Sequence, residues 1–112
     1  SETFVYCNFP DFEIPPGMSP ICTFREAEGL TVIVEKGQAE HRAVEYVFEA
    51  RLITLTVHSS LEAVGFLAAL AGGLAQASIP CNAVAGYHHD HLFVPTARAG
   101  EAFALLSVMA SP

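Results

Sequence analysis

Between Glu62 and Gln76 every residue is alanine, valine, glycine, phenylalanine or leucine, in a chain otherwise well supplied with carboxylates. This run constrains the fold more than any other feature. Ser59 or Ser60 offers an N-cap ahead of it, and Pro80 ends it because the residue before a proline disfavours the α region. The sequence therefore predicts a helix from Leu61 to Ala77. A surface helix normally carries a polar stripe; this one has none, so both of its sides are expected to be covered. Gly65, Ala69 and Gly73 recur at helical spacing and would let another backbone approach closely, from a second protomer or from the other half of the chain. The stretch Ala63 to Ala75 is too short to span a bilayer, which takes about 20 residues.

The segments around this helix set the architecture. Leu52 to Val57 alternates, with Ile53, Leu55 and Val57 on one face and Thr54 and Thr56 on the other, as a sheet covered on one side requires. Ala83 to His88 and His91 to Pro95 read as a hairpin, and Ala97 to Ala110 as a closing helix. The order β-α-β-β-α lacks one strand of a ferredoxin-like unit. Phe4 to Phe9 is expected to supply it, which interlocks a first half (1–50), mostly strands, with a second half (51–112). In the first half Phe4–Phe9, Cys22–Glu26, Leu30–Glu35 and Val44–Ala50 are rich in β-formers, Gln38 to Ala43 is a short helix or loop, and Pro10 to Pro20 is a surface loop. Glu26 and Glu28 straddle a turn and read as solvated.

With a formal net charge of −7 and no basic cluster, the chain lacks the concentrated positive face that nucleic acid demands. Cys7, Cys22 and Cys81 are odd in number and have no metal-like or redox spacing, which points to reduced thiols and a cytoplasmic location. The first residue is Ser1 rather than methionine, so the natural beginning is expected to lie upstream, where a targeting segment stays open.

Three of the five histidines fall in His88-His89-Asp90-His91. With a two-residue turn at His89-Asp90, His88 and His91 would stand opposite each other on one face, Cβ atoms roughly 5 Å apart. Such a pair, with Asp90 or His58 as a third ligand, is the metal-binding or enzymatic alternative for this chain. Against it, adjacent strand residues point to opposite faces, and no nucleophile or substrate cradle is recognisable nearby. No cofactor is called for.

Leu52-Ile53-Thr54-Leu55-Thr56-Val57-His58-Ser59-Ser60-Leu61-Glu62-Ala63-Val64-Gly65, then Ile79-Pro80-Cys81-Asn82, then the histidine hairpin, resemble a group of small bacterial ACT-domain proteins of unassigned activity. Thr23-Phe24-Arg25-Glu26-Ala27-Glu28-Gly29-Leu30-Thr31 is similar to the same group. The resemblance implies an α+β protein of two interlocked ACT-like halves, with antiparallel sheets and helices on one face. It also implies a regulatory or sensor module, non-catalytic, that holds a small amino-acid-type ligand; the uncharged helix and its small-residue spacing point to a homodimer, and the short apolar run to no membrane. In such domains the effector meets the loop after the first strand and the start of the second. Here that maps to His58, Ser59, Ser60, Val64, Gly65, Cys81 and Asn82. The residues fit: a helix N-terminus offers unpaired N–H groups and a positive dipole end to a carboxylate, serine hydroxyls add donors, and Asn82 presents both a donor and an acceptor.

Overall fold

The computed structural model describes residues 2–56 and 61–109. They fall into two compact units, Ser1–Glu49 and Ala50–Pro112. Among the described residues, no helix is long and apolar enough to cross a membrane.

The first unit opens with β1 (Thr3–Phe9), β2 (Cys22–Glu26), β3 (Gly29–Glu35) and the short helix α1 (Lys36–His41). Strand β3 lies between the other two and pairs antiparallel with both, placing Cys7 opposite Val32 and Phe24 opposite Thr31. Alternation selects the core: Val5 and Cys7 of β1 and Leu30, Val32 and Val34 of β3 turn to the face covered by Ala39 of α1. Met18 reaches the same core from the proline-rich loop. The Ser19 N–H donates to Gln38 Oε1 at 2.8 Å, tying that loop to α1. Gly29 begins β3 at φ 151°, and a Cβ there would stand 2.6 Å from Asn8 Oδ1 and 2.9 Å from the Phe9 carbonyl oxygen, so no side chain fits.

Strand β4 (Val47–Leu55) is one continuous strand where the sequence predicts two, Val44–Ala50 and Leu52–Val57. Ala43 turns the chain at φ 53°, so Val44 to Tyr46 precede the strand instead of opening it.

The second unit continues with α2 (Phe66–Gln76), β5 (Asn82–Ala85), β6 (Asp90–Pro95), a 3₁₀ turn (Thr96–Arg98) and α3 (Ala99–Met109). From Ala50 onward β4 pairs antiparallel with β6, which pairs on its other side with β5. Leu55, Leu92 and Val94 meet Leu70 and Leu74 of α2 and Ala102 and Leu106 of α3, so both helices cover one face of this sheet.

Helix α2 starts five residues later than the sequence predicts. Gly65, at φ 84°, is its N-cap in a left-handed conformation that ends the preceding turns and starts the helix at Phe66. The expectation that both of its sides are covered also fails for this chain alone, because Ala68, Ala69, Gly72 and Ala75 are exposed. Alanine and glycine present so little apolar surface that their exposure costs little, which is why the helix needs no polar stripe. The small-residue spacing has a local use at one position: a Cβ on Gly73 would lie 2.4 Å from Met109 Cε, so that glycine admits α3.

The other end of α2 is built tightly. The Ile79 N–H donates to the Leu74 carbonyl and the Ser78 N–H to the Ala75 carbonyl, both at 2.9 Å, with Ser78 left-handed at φ 60°. That is a Schellman closure, and the burial of Leu74 and Ile79 completes its hydrophobic contact. Arg98 then donates to the carbonyls of Ala77 at 3.0 Å and Ser78 at 3.2 Å, placing a cation at the negative end of the helix dipole.

Gly29→Ala should destabilise the chain by more than about 1 kcal/mol, or about 4–8 °C in melting temperature, because backbone atoms cannot yield as a side chain would. An unchanged thermal unfolding curve would refute the close approach described for this turn.

Glu35 is hydrogen-bonded to Glu2, and that bond, with the repulsion between the two carboxyl groups, raises the pKa of Glu35. The folded chain thus holds a proton more tightly than the unfolded one. Its contribution is fully present below the ordinary glutamate range and is lost as pH rises through the raised value. Glu2→Gln has no carboxyl proton to share, so its melting temperature should fall less than that of the parent as pH rises from the ordinary glutamate range through the raised value. Parallel curves would exclude the shared proton.

Candidate functional site

Of the residues singled out from sequence, His58, Ser59 and Ser60 lie outside the described residues. The others fall at the start of α2 and the start of β5. Val64 is 99% exposed, and a Cβ built on Gly65 would meet nothing within 4 Å, so the backbone there is open to an approaching group. Among the described residues no side-chain cap closes α2 at Gly65, and the first described intrahelical bond runs from the Ala69 N–H to the Gly65 carbonyl at 2.9 Å. The N–H groups of Phe66, Leu67 and Ala68 precede the point where a helix can satisfy its own donors. Cys81 is half-buried against the same core as Phe66 and Leu67, and burial pushes its thiol pKa up. It is therefore a neutral wall rather than a nucleophile. Asn82 is exposed as the first residue of β5, opposite Phe93.

The histidine hairpin differs from its sequence reading. Ala85 pairs with Asp90 and Val84 with His91, so the connection is the four residues Gly86–His89, closed by the Gly86 N–H donating to the His89 carbonyl at 2.9 Å. His88 sits in that connection, with its ring edge-on to Tyr87 at 4.8 Å, and does not stand opposite His91. Glycine makes the longer turn possible, since a Cβ on Gly86 would come within 2.9 Å of the His89 carbonyl oxygen and 3.2 Å of His91 Nε2. His91 instead lies across from Thr54 of β4, whose Oγ1 is 3.0 Å from His91 Nδ1. Asp90 is turned to the other face beside Leu55 and is 6% exposed, the one buried charged residue among those described. His88, Asp90 and His91 thus point to separate places. Among the described residues, no three His, Cys, Asp or Glu side chains are grouped to hold a metal ion.

A concavity of about 900 Å³ lies on the first unit, where sequence reasoning marked no site; Tyr6, Asn8, Thr31, Glu45 and Tyr46 supply its polar lining. The signal for it was faint but legible: Tyr6 and Asn8 alternate with the buried Val5 and Cys7, which puts a tyrosine and an amide on the outer face of a strand.

Two ACT-domain family models match this chain, one over residues 1–51 and the other over residues 47–108. The chain belongs to the ACT-domain family. ACT domains are generally small-molecule-binding regulatory modules, and two matches in one chain make this a tandem ACT protein. It is similar to a protein of unknown function from Vibrio cholerae described as a possible transport protein. The two are 43% identical over 95% of this chain and 82% of that one, with a TM-score of 0.86. A protein from Agrobacterium tumefaciens, 15% identical over 96% of this chain and 81% of that one, has a TM-score of 0.70 and shares the fold. No curated protein matches the chain.

Proposed function

We propose that this tandem ACT protein is a non-catalytic sensor or regulatory module that binds a small amino-acid-type metabolite in the cytoplasm. The observation that carries this reading is the N-terminus of α2: an uncapped helix start, a left-handed Gly65 with open space where a side chain would be, and Asn82 exposed at the start of β5. The metabolite's carboxylate takes the unpaired N–H groups and the positive end of the helix dipole. His58, Ser59 and Ser60 belong to the site by their place in the sequence between β4 and α2. Val64 and Cys81 form its apolar edge, and the side-chain oxygen of Asn82 accepts from the α-amino group. The three free cysteines accord with a reducing compartment.

Isothermal titration with the common L-amino acids should find one that binds. Gly65→Leu should abolish that binding by filling the approach and straining a left-handed position. Asn82→Ala should weaken it by about 1–3 kcal/mol, the cost of leaving a polar ligand group unpaired. Binding that survives both substitutions unchanged would place the site elsewhere.

We also propose that the protein works as a homodimer, which would cover the exposed alanine and glycine side of α2 together with Phe103 and Val108 of α3, 61% and 74% exposed. Light scattering at micromolar concentration should then report at least twice the 12.0 kDa chain mass. A monomer under those conditions would rule the dimer out.

A further inference from the structure

Three members of the polar lining of the concavity on the first unit, Thr31, Glu45 and Tyr46, present acceptors, beside the mixed amide of Asn8. The Thr31 hydroxyl donates to Glu26 Oε1, and the Tyr46 hydroxyl donates to Glu40 Oε2 at 3.2 Å. Each hydroxyl has spent its only proton, so what it still offers is an acceptor lone pair. Glu45 is an acceptor by nature, and it carries no hydrogen bond or ion pair among the described residues. Neighbouring carboxylates of the same unit are engaged: Glu26 with Thr31, Glu40 with Tyr46, Glu49 with Lys36 and Glu35 with Glu2.

No cation lines this space. The three basic residues of the unit are occupied otherwise: Lys36 with Glu49 at 2.8 Å, Arg42 with the Gln38 carbonyl at 3.3 Å, and Arg25 over the Phe12 ring at 4.5 Å. The Lys36 ammonium does act on Tyr46, but Glu49 balances its charge. A group with several N–H donors and a positive charge matches Glu45 and the two hydroxyl oxygens, and the electron-rich rings of Tyr6 and Tyr46 favour the same charge. The wall also contains strain of the kind that clusters at binding sites: Phe48, next to the lining residue Val47, is held left-handed at φ 57° with its ring edge-on to Tyr6 at 5.6 Å.

We propose that this concavity binds a small organic ammonium ion, a primary amine without a carboxylate, through Glu45, the hydroxyl oxygens of Thr31 and Tyr46, and the tyrosine rings. The site lies on the first unit, and its ligand, unlike the amino-acid-type metabolite proposed for the start of α2, carries no carboxylate.

The test is a titration of the full chain with n-butylammonium chloride, followed by backbone amide NMR, with 1-butanol and tetramethylammonium chloride as comparisons. Butylammonium should move the amides of Asn8, Thr31, Glu45 and Tyr46 saturably, 1-butanol should not, and tetramethylammonium, which has charge but no N–H donor, should bind more weakly. Glu45→Gln should weaken butylammonium about tenfold, the loss of one charge-assisted hydrogen bond. Glu13→Gln, an exposed carboxylate in the proline-rich loop, should leave the affinity unchanged. Equal weakening by both substitutions would reduce the effect to general attraction toward a chain of net charge −7 and overturn the site. So would equal shifts with the alcohol, or shifts that never saturate.

Discussion

Strand β6 is the member on which the second unit depends. It is hydrogen-bonded on both sides, to β4 and β5, and its Leu92 and Val94 are fully buried beneath α2 and α3. Because side chains alternate along a strand, the same pairing that sinks Leu92 and Val94 into the core lifts His91 and Phe93 to the other face and sets Asp90 among the core-facing positions. The separation of His91 from Asp90 is thus a consequence of core packing.

Much of the fold was legible because hydrophobic periodicity dominates it. The alternation of Ile53 and Leu55, the stop before Pro80 and the β-formers of β1, β2 and β3 each produced an element close to where it lies. The misreadings share a cause in backbone conformations that residue type advertises poorly. Gly65 looked like an interior glycine of a long helix and is its left-handed cap; Ala43, an ordinary helix former, holds φ 53° and delays β4. The hairpin turn was misjudged because His89-Asp90 resembles a two-residue turn, whereas Gly86 tolerates the contact that closes a longer one.

The candidate sites were legible to different degrees. The start of α2 emerged from a resemblance supported by the chemistry of helix termini; Val64 and Gly65 are exposed ahead of that helix and Asn82 at the start of β5. The concavity of the first unit could not have been found the same way. Its character comes from which hydroxyls have given up their protons and to which carboxylates, and Thr31 with Glu26 or Tyr46 with Glu40 are pairings that only the folded chain establishes.

Helix α2 is held unequally at its two ends. The C-terminal end has a Schellman closure and two bonds from Arg98, while the N-terminal end begins on a glycine with no side-chain cap. Opening fluctuations therefore proceed from Phe66 inward, at a free energy well below that of global unfolding. A group bound at that end acts on the fraying equilibrium itself. Under the proposed function the helix would report occupancy through the order of its first turn while the core around Leu74 and Ile79 stays as it was.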